Sequence, residues 1–279
     1  TMKAGGQPKI PAVTSRPDGQ LVAHVMPVDL MDKTLFMGLK AEVWLEPGKP
    51  ATQGKIYRDK KRDGPGKGAV SLVLGAGNVG SIAPTDALYK LFVEDQVVVL
   101  KTNPVNAYLG PMWEACLRPF IDEGFLAVVH GGAEVGIHLC NHALVETIHV
   151  TGSDRTHDAI VYGVGEEGAK NKAERTRVNE RPVASELGCV TPVLVVPGDW
   201  TEAELRYQAL SVASAVTNNA SFNCLAAKAV VTARGWPLRE RFLAALREAL
   251  AAVPVRKAYY PGALGRWKAF CEAYPDHIT

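Results

Sequence analysis

The chain has 279 residues, 47% of them hydrophobic and 22% charged, which is the composition of a folded globular protein and excludes disordered and fibrous classes. Its formal net charge is +2 and its isoelectric point is near 8.2, so it has no strong field of one sign that would attract nucleic acid or an anionic membrane. The function must therefore be sought in local sites.

Residues 1–68 have the pattern of an extended arm. Proline, glycine and lysine are frequent, and a turn signal at residues 16–19 precedes an alternating stretch at residues 21–26. A second strand-like stretch, residues 41–45, is followed by a Pro-Gly pair. We therefore predict an N-terminal β arm or hairpin without a core of its own.

From residue 69 onwards, short runs of leucine and β-branched residues alternate with amphipathic segments of helical length. Buried strands are predicted at residues 69–75, 96–101, 127–130, 147–151 and 192–196. Helices are predicted at residues 84–94, 109–123, 135–141, 199–218 and 237–252. This alternation indicates an α/β fold with a Rossmann-like open parallel sheet and flanking helices. We expect residues 170–181 to form a solvated loop and the aromatic segment after Pro254 to be irregular.

A glycine-lined turn follows the first predicted strand, where residues 75–80 read G-A-G-N-V-G. Ligands bind at such strand-to-helix turns because free N–H groups and the helix dipole favour anions. The glycines alone fit a tight turn that requires small residues equally well.

Glu186 stands directly ahead of Leu187, Gly188 and a predicted buried strand. A partly buried glutamate has a raised pKa and can act as a general base near neutral pH. An exposed loop carboxylate is the simpler interpretation.

Cys224 lies in the polar sequence T-N-N-A-S-F-N-C-L-A-A-K of residues 217–228. We expect a turn after one helix to present this thiol at the start of another helix. A helix N-terminus lowers the pKa of a thiol and offers a backbone N–H to an oxyanion, as a thioester-forming nucleophile requires. A small buried structural cysteine is the alternative.

The five cysteines of the chain are widely spaced and include no C-x-x-C pair. An odd number without paired spacing argues against a disulfide framework and a thiolate metal site, so we expect no bound metal and a reduced, cytoplasmic setting. The first residues lack a secretory leader pattern, and no apolar run reaches the length of a membrane span. We therefore expect neither a membrane nor a nucleic-acid partner.

In their order and spacing, these motifs resemble the aldehyde dehydrogenase superfamily over residues 70–264. Members carry an asparagine turn, a lysine-ended strand, a T-G-S turn, an E-L-G-G motif and a cysteine loop. The corresponding residues here are Gly77 and Asn78, residues 98–101, residues 150–153, residues 186–188, and Asn223 with Cys224. The resemblance implies a dinucleotide-binding domain at residues 69–187 and, at residues 188–279, the start of a second α/β domain that bears the nucleophile.

The resemblance also implies the chemistry and the roles of the residues. Cys224 would attack an aldehyde carbonyl, Asn78 and the Cys224 N–H would stabilise the oxyanion, and Glu186 would activate water for deacylation. Hydride would pass to NAD or NADP. The implied cofactor contacts are Lys101, Gly152, Ser153, Gly77 and Leu187. The implied partners are a small-molecule aldehyde or acyl thioester and further copies of the chain in a homo-oligomer.

Several departures from the family pattern leave alternatives open. The asparagine turn lacks the usual tryptophan and proline neighbours and resembles that of acyl-group reductases, so an acyl-CoA reductase is a second hypothesis. Pro104 stands where an acidic residue often secures a preference for NAD, so the choice between NAD and NADP stays open. Cys189 replaces the second glycine of E-L-G-G, and His157 replaces a glycine after the T-G-S turn. No E-x-F-x-P motif follows Cys224, so a truncated, non-catalytic nucleotide-binding or assembly module is a third hypothesis.

Overall fold

The computed structural model of the protein describes residues 11–52, 64 and 66–276. The chain forms two compact units, residues 1–66 and residues 67–279. A further division at residue 187, between a cofactor domain and a catalytic domain, stays a prediction.

The first unit contains a three-stranded antiparallel sheet. Its elements are β1 (Ala12–Ser15), β2 (Leu21–Met26), α1 (Leu30–Leu35) and β3 (Ala41–Trp44). The central strand β2 pairs with β1 on one side and with β3 on the other. The β1–β2 turn is stabilised by Asp18, whose carboxylate accepts a hydrogen bond of 3.0 Å from the Gln20 N–H. The predicted N-terminal β arm is therefore confirmed as an antiparallel sheet.

The second unit begins with alternating strands and helices. These elements are β4 (Val70–Leu74), α2 (Ile82–Phe92), β5 (Val97–Lys101), α3 (Gly110–Cys116), α4 (Arg118–Asp122), β6 (Leu126–Val129), α5 (Ala133–Asn141), β7 (Thr147–Gly152), α6 (Asp154–Tyr162), α7 (Gly165–Glu174) and β8 (Val183–Leu187). The strands form one parallel sheet in the order β6-β5-β4-β7-β8. The chain runs outwards from β4 to β6 and then continues on the other side of β4, so the strand order reverses between β4 and β7. This confirms the predicted open parallel sheet.

Both faces of the sheet are covered because alternate side chains of each strand point to opposite sides. On one face, Val73 and Leu100 pack with Ala83 of α2. On the other face, Leu72 and Ile148 pack with Cys140 of α5. Burial raises the pKa of the Cys140 thiol to about 11, so this cysteine has a structural role.

The rest of the second unit is built on a smaller parallel pair of strands. Its elements are β9 (Pro192–Val195), α8 (Glu202–Thr217), β10 (Ala229–Thr232), α9 (Arg239–Ala251) and α10 (Ala263–Ala273). Helix α8 begins with a capping box between Thr201 and Glu204. Its buried face packs against α9 around Leu205, Trp236 and Phe242.

Two expectations about local structure were wrong. Residues 165–174 form helix α7, which covers part of the expected loop at residues 170–181. Its sequence G-E-E-G-A-K-N-K-A-E carries almost no apolar periodicity, so the amphipathic pattern gave no signal. The segment after Pro254 is not irregular throughout, since helix α10 occupies residues 263–273. Within residues 11–52 and 66–276, no helix combines the length and apolar character needed to cross a bilayer.

Candidate active site

The carboxyl ends of the five parallel strands meet at one edge of the sheet. Leu74 pairs with Lys101, and Gly152 pairs with Leu187, so three implied cofactor contacts end their strands at this edge. The edge includes the point between β4 and β7 where the strand order reverses. In open α/β sheets, ligands bind outside such a point.

The glycine turn after β4 is shaped by close packing. A Cβ on Gly77 would lie 2.7 Å from Oδ1 of Asn103, and a Cβ on Gly80 would lie 2.7 Å from Cδ1 of Leu109. Asn103 itself accepts a hydrogen bond from the Val105 N–H and caps the short 3₁₀ helix after β5. The glycines are therefore explained by their neighbours in the fold, as the simpler interpretation of the sequence held.

Lys101 is the last residue of β5 and is only 7% exposed. Burial lowers the pKa of its ammonium group, and the negative charge of Glu134 partly offsets that effect. Hydrogen bonds from the backbone N–H groups of Glu134 and Gly132 hold the pKa of the Glu134 carboxyl below its usual value. Among the described residues, no hydrogen bond reaches the Lys101 ammonium, so its donors remain available to hydroxyl groups of a ligand.

Gly152 and Ser153 connect β7 to helix α6. Ser153 is the N-cap of this helix, and its Oγ accepts a hydrogen bond of 3.2 Å from the Thr156 N–H. Both connecting residues are exposed. They therefore leave the positive end of the α6 dipole open at the carboxyl edge of the sheet.

Asn78 joins the glycine turn to the cysteine loop, residues 217–228. Its Nδ2 donates a hydrogen bond of 2.8 Å to the carbonyl oxygen of Phe222. In return, Nδ2 of Asn219 donates a hydrogen bond of 2.9 Å to the Asn78 carbonyl oxygen. The structure thus brings the predicted asparagine within two residues of Cys224, although 144 positions separate it from Phe222 in the chain.

The hydrogen bonds between Asn78 and the cysteine loop form a junction of the two loops, and Tyr259 contacts this junction from the C-terminal aromatic segment. Its hydroxyl lies 3.0 Å from the carbonyl oxygen of Asn78 and 3.3 Å from Oδ1 of Asn219, both of which accept hydrogen bonds. The ring packs edge-on against Phe222, with centroids 4.9 Å apart, and Tyr260 stacks on Phe222 at 5.6 Å. These contacts hold the two loops together.

Cys224 is exposed and lies in a turn, not at the start of a helix. The chain continues directly into strand β10, so the expected helix after the cysteine was wrong, and so was the argument from its dipole. Before the cysteine, Asn219, Ala220 and Ser221 all have left-handed backbones, with φ angles of 51°, 52° and 65°. Left-handed residues other than glycine are strained, and such strain often marks functional loops.

Cys189, which follows β8, contacts the backbone of Cys224. Its Sγ–H donates a hydrogen bond to the Cys224 carbonyl oxygen at 3.3 Å, and its Sγ lies 2.8 Å from Oγ1 of Thr191. The ammonium group of Lys228 donates hydrogen bonds to the Ser221 carbonyl and hydroxyl oxygens. Hydrogen bonds therefore stabilise the cysteine loop internally, through Lys228, and connect it to the segment after β8, through Cys189.

A shallow pocket of about 340 Å³ opens next to the cysteine loop, and its lining includes the residues on either side of Cys224 but not Cys224 itself. Its lining comes from the end of α8 and from the cysteine loop, namely Ser214, Ala215, Asn218, Asn223, Leu225 and Ala226. The lining has amide, hydroxyl and aliphatic groups but no charged side chain.

Glu186 is exposed and lies on β8, opposite Thr151 of β7. It is therefore a strand residue and not a loop carboxylate, and the partial burial from which its role as a base was argued was wrong, because β8 is an edge strand. In the described part of the chain, no hydrogen bond or ion pair connects it to the cysteine loop. The structure thus brings Asn78 to this loop and places Glu186 on the strand that leads to Cys189.

The sequence reasoning missed several side chains that build the junction. Asn219 belongs to the polar turn but received no role, and Tyr259 belongs to the aromatic segment that was expected to be irregular. Lys228 ends the motif of the cysteine loop without an assigned contact. A polar or aromatic residue beside the motif was the only signal, because the partners are far apart in sequence.

Comparisons with known proteins were made with the sequence and with the fold. The model of the aldehyde dehydrogenase family matches residues 90–263. No curated protein sequence matches the chain.

Among solved structures, the chain is similar to HpcC from Thermus thermophilus, with 20% identity and a TM-score of 0.56 over 74% of this chain and 39% of that one. It is also similar to a putative aldehyde dehydrogenase from Burkholderia cenocepacia, with 20% identity and a TM-score of 0.55 over 76% of this chain and 43% of that one. An NADP complex of glyceraldehyde-3-phosphate dehydrogenase from Bacillus halodurans matches with 22% identity and a TM-score of 0.50, over 67% of this chain and 36% of that one. At these identities the likeness concerns the fold, and the chain spans about two fifths of the length of these structures.

Proposed function

Because the chain belongs to the aldehyde dehydrogenase family, we propose that it oxidises an aldehyde with Cys224 as the nucleophile and NAD or NADP as the hydride acceptor. The observation that carries the proposal is the pair of hydrogen bonds between Asn78 and the cysteine loop. They attach the Asn78 amide to the loop that carries the exposed Cys224 thiol, which supports a role for this amide as a donor to a thiohemiacetal oxyanion.

The oxyanion would have two donors. The Asn78 amide carries two N–H groups, and Phe222 accepts only one of them, so the second can bind the substrate oxygen. The backbone N–H of Cys224 has no hydrogen-bond acceptor among the described residues. Both donors are held before the substrate binds, so their orientation costs little during the reaction.

The residues at the carboxyl edge of the sheet fit a dinucleotide. The ammonium of Lys101, which has no acceptor within the described chain, would donate to ribose hydroxyls, and Gly152 and Ser153 would bring a pyrophosphate to the open end of α6. Gly77 and Leu187 would line the same edge. When bound, the nicotinamide would supply the electron acceptor for the oxidation.

Glu186 is our candidate for the base that activates water during deacylation. Its carboxylate is exposed and has no hydrogen bond or ion pair within the described chain, so it is open to water. The lining of the shallow pocket next to the cysteine loop carries no charged side chain, so it offers no ion-pair partner to a carboxylate or phosphate group of a substrate. The proposed substrate is a small-molecule aldehyde.

The test is aldehyde-dependent formation of reduced nicotinamide by the purified chain, with NAD and NADP in parallel. We expect turnover that Cys224→Ser lowers by at least about 1,000-fold, because a nucleophile is replaced. The matched control is Cys116→Ser, which changes another exposed cysteine and should leave the rate unchanged.

The two other hypotheses predict different results in the same assay. An acyl-CoA reductase would consume reduced nicotinamide when an acyl-CoA is added and would not oxidise aldehydes. The structure explains Gly77 and Gly80 by packing, so the glycine turn gives this hypothesis no separate support. Cofactor binding without any turnover would favour a non-catalytic nucleotide-binding or assembly module.

A further inference from the structure

The small parallel sheet brings two cysteine-bearing segments together. Strands β9 and β10 begin their pairing at Pro192 and Ala229. The pairing extends further, since the Lys228 N–H donates a hydrogen bond of 2.9 Å to the Val190 carbonyl oxygen. Cys189 lies directly before Val190, and Cys224 lies on the loop that leads to Lys228. The two cysteines are therefore carried by neighbouring segments.

A direct contact joins these segments. The Cys189 thiol donates to the carbonyl oxygen of Cys224 across 3.3 Å, and both side chains are exposed. Each thiol is at the surface, on facing chain segments, so rotation about the Cα–Cβ bonds with a small loop movement can bring the sulfurs together. By contrast, Cys140 is buried in the core beneath α5 and cannot be reached without opening the fold.

Two polar side chains flank Cys189. Burial lowers the pKa of Lys228, and the nearby Cys189 sulfur opposes that effect, so the lysine ammonium lies near the sulfur. Cationic neighbours are typical of cysteines that react as thiolates. Thr191 lies close enough to share a hydrogen bond with that sulfur. A thiolate, not a thiol, attacks an oxidised sulfur.

We propose that Cys189 and Cys224 form a dithiol modification site, in which Cys189 is the resolving thiol for an oxidised Cys224. A hydroperoxide first oxidises the Cys224 thiolate by two electrons to a sulfenic acid and is itself reduced to an alcohol or water. The Cys189 sulfur then attacks the Cys224 sulfur, and the S–OH bond breaks with release of water. The product is a disulfide, which two electrons and two protons from an external dithiol convert back to two thiols.

This site goes beyond aldehyde oxidation and does not require that Cys224 be catalytic. If Cys224 is the nucleophile, the disulfide switches the enzyme off reversibly. It also protects Cys224 from further oxidation to a sulfinic acid, a step that ordinary thiols do not reverse. Cys189 takes the place of a glycine in the family motif, so the site is a property of this chain's own sequence.

The test is peptide mass spectrometry, without reduction, on the purified folded chain after exposure to hydrogen peroxide. We expect a peptide pair linked through residues 189 and 224, loss of iodoacetamide labelling at both, and recovery of labelling after dithiothreitol. A Cys189→Ser variant should instead accumulate sulfinic acid at Cys224. The matched control Cys116→Ser removes a different exposed cysteine and should form the link like the wild type.

Two results would overturn the proposal. One is oxidation of Cys224 to sulfinic acid in the wild type at the same rate as in Cys189→Ser, with no linked peptide. The other is a link from Cys224 to a cysteine other than Cys189. Both readouts are masses and need no turnover, so a chain that failed to oxidise aldehydes would still test the dithiol site.

Discussion

The carboxyl edge of the five-stranded sheet and the cysteine loop are built in different ways. At the sheet edge, Lys101, Gly152 and Leu187 are positioned by the backbone register of parallel strands. The cysteine loop is instead held by single side-chain hydrogen bonds from residues far away in sequence. The Asn78 amide donates to the Phe222 carbonyl oxygen, and the Tyr259 hydroxyl contacts the Asn78 carbonyl oxygen and Oδ1 of Asn219. The first region depends on repetitive hydrogen bonding and tolerates change, whereas the second depends on single contacts that one substitution removes.

The largest effect is expected at Asn78. Replacing it by alanine removes both the proposed oxyanion donor and the contact with Phe222, so kcat/KM should fall by about 100- to 1,000-fold. Steady-state kinetics measures the effect, and thermal unfolding checks the fold. Asn141→Ala removes an amide whose only hydrogen bond within the described chain is local, to Ile137, and should retain full activity. An equal loss of kcat/KM in the two variants would mean that activity does not depend on the hydrogen bonds between Asn78 and the cysteine loop.

The next effect concerns the sheet edge. Lys101→Met keeps the length of the side chain but removes its donors, so the Kd for the dinucleotide should rise by about tenfold. Isothermal titration calorimetry measures this change. Arg118→Met, on the exposed surface of α4, is a control that should leave the Kd unaltered. An unchanged Kd for Lys101→Met would place the cofactor elsewhere.

The same substitution predicts a dependence of stability on pH. Burial lowers the pKa of Lys101 in the folded protein from its usual value of 10.5, so the unfolded chain binds more protons at pH values between the folded and the unfolded pKa. Stability from this lysine should therefore rise as the pH passes upward through its folded pKa, and below that pKa the buried charge is a penalty. Lys101→Met should melt at a higher temperature than the wild type near neutral pH, and the gap should narrow in alkaline buffer. A constant gap would contradict burial as the cause.

A smaller effect is expected at Tyr259. Its phenylalanine variant keeps the ring packing on Phe222 but loses the hydroxyl contacts, so kcat/KM should fall by about fivefold with the cofactor Kd unchanged. Tyr207→Phe alters a largely exposed hydroxyl on α8 and serves as the matched control. If the variant instead bound the cofactor more weakly and kept its kcat/KM, the Tyr259 hydroxyl would act in cofactor binding and not in catalysis.

The smallest effect is expected for Glu134→Gln. This change removes a negative charge that interacts with Lys101, so the preference between NADP and NAD should move towards NADP by about threefold. The ratio of the two Kd values measures the shift. Glu167→Gln, on the exposed surface of α7, controls for a general loss of negative charge. A shift of the preference towards NAD would mean that the Glu134 charge does not act on the adenosine ribose of the cofactor.

The sequence predicted the regular region better than the loop. Strands of the parallel sheet follow from buried runs of valine and leucine, and the order of five motifs between Gly77 and Cys224 indicated the family. These signals are local or depend only on order along the chain. Strand β8 was not predicted. It is an edge strand with mostly exposed residues, so Val183–Leu187 includes polar side chains and lacks the apolar run of a buried strand.

The shape of the cysteine loop could not be predicted for a physical reason. Asn219 and Tyr259 act through hydrogen bonds to Asn78 that span 141 and 181 positions, and no local pattern reports such partners. The small residues after Cys224 also suited a helix, but the chain pairs with β9 instead and forms β10. Tertiary contacts decided both outcomes.

Asn219, Ala220 and Ser221 form a left-handed turn. Because of this backbone conformation, the chirality of the residue at position 220 should have a measurable effect on stability. An L-alanine in this conformation is disfavoured by about 1–2 kcal/mol, because its Cβ approaches the following carbonyl oxygen. A D-alanine at position 220, introduced by semisynthesis, has its Cβ on the opposite side and relieves that contact without adding the freedom of glycine to the unfolded chain. The mirror-image residue should therefore stabilise the protein, so that the natural stereochemistry of Ala220 is the less stable of the two.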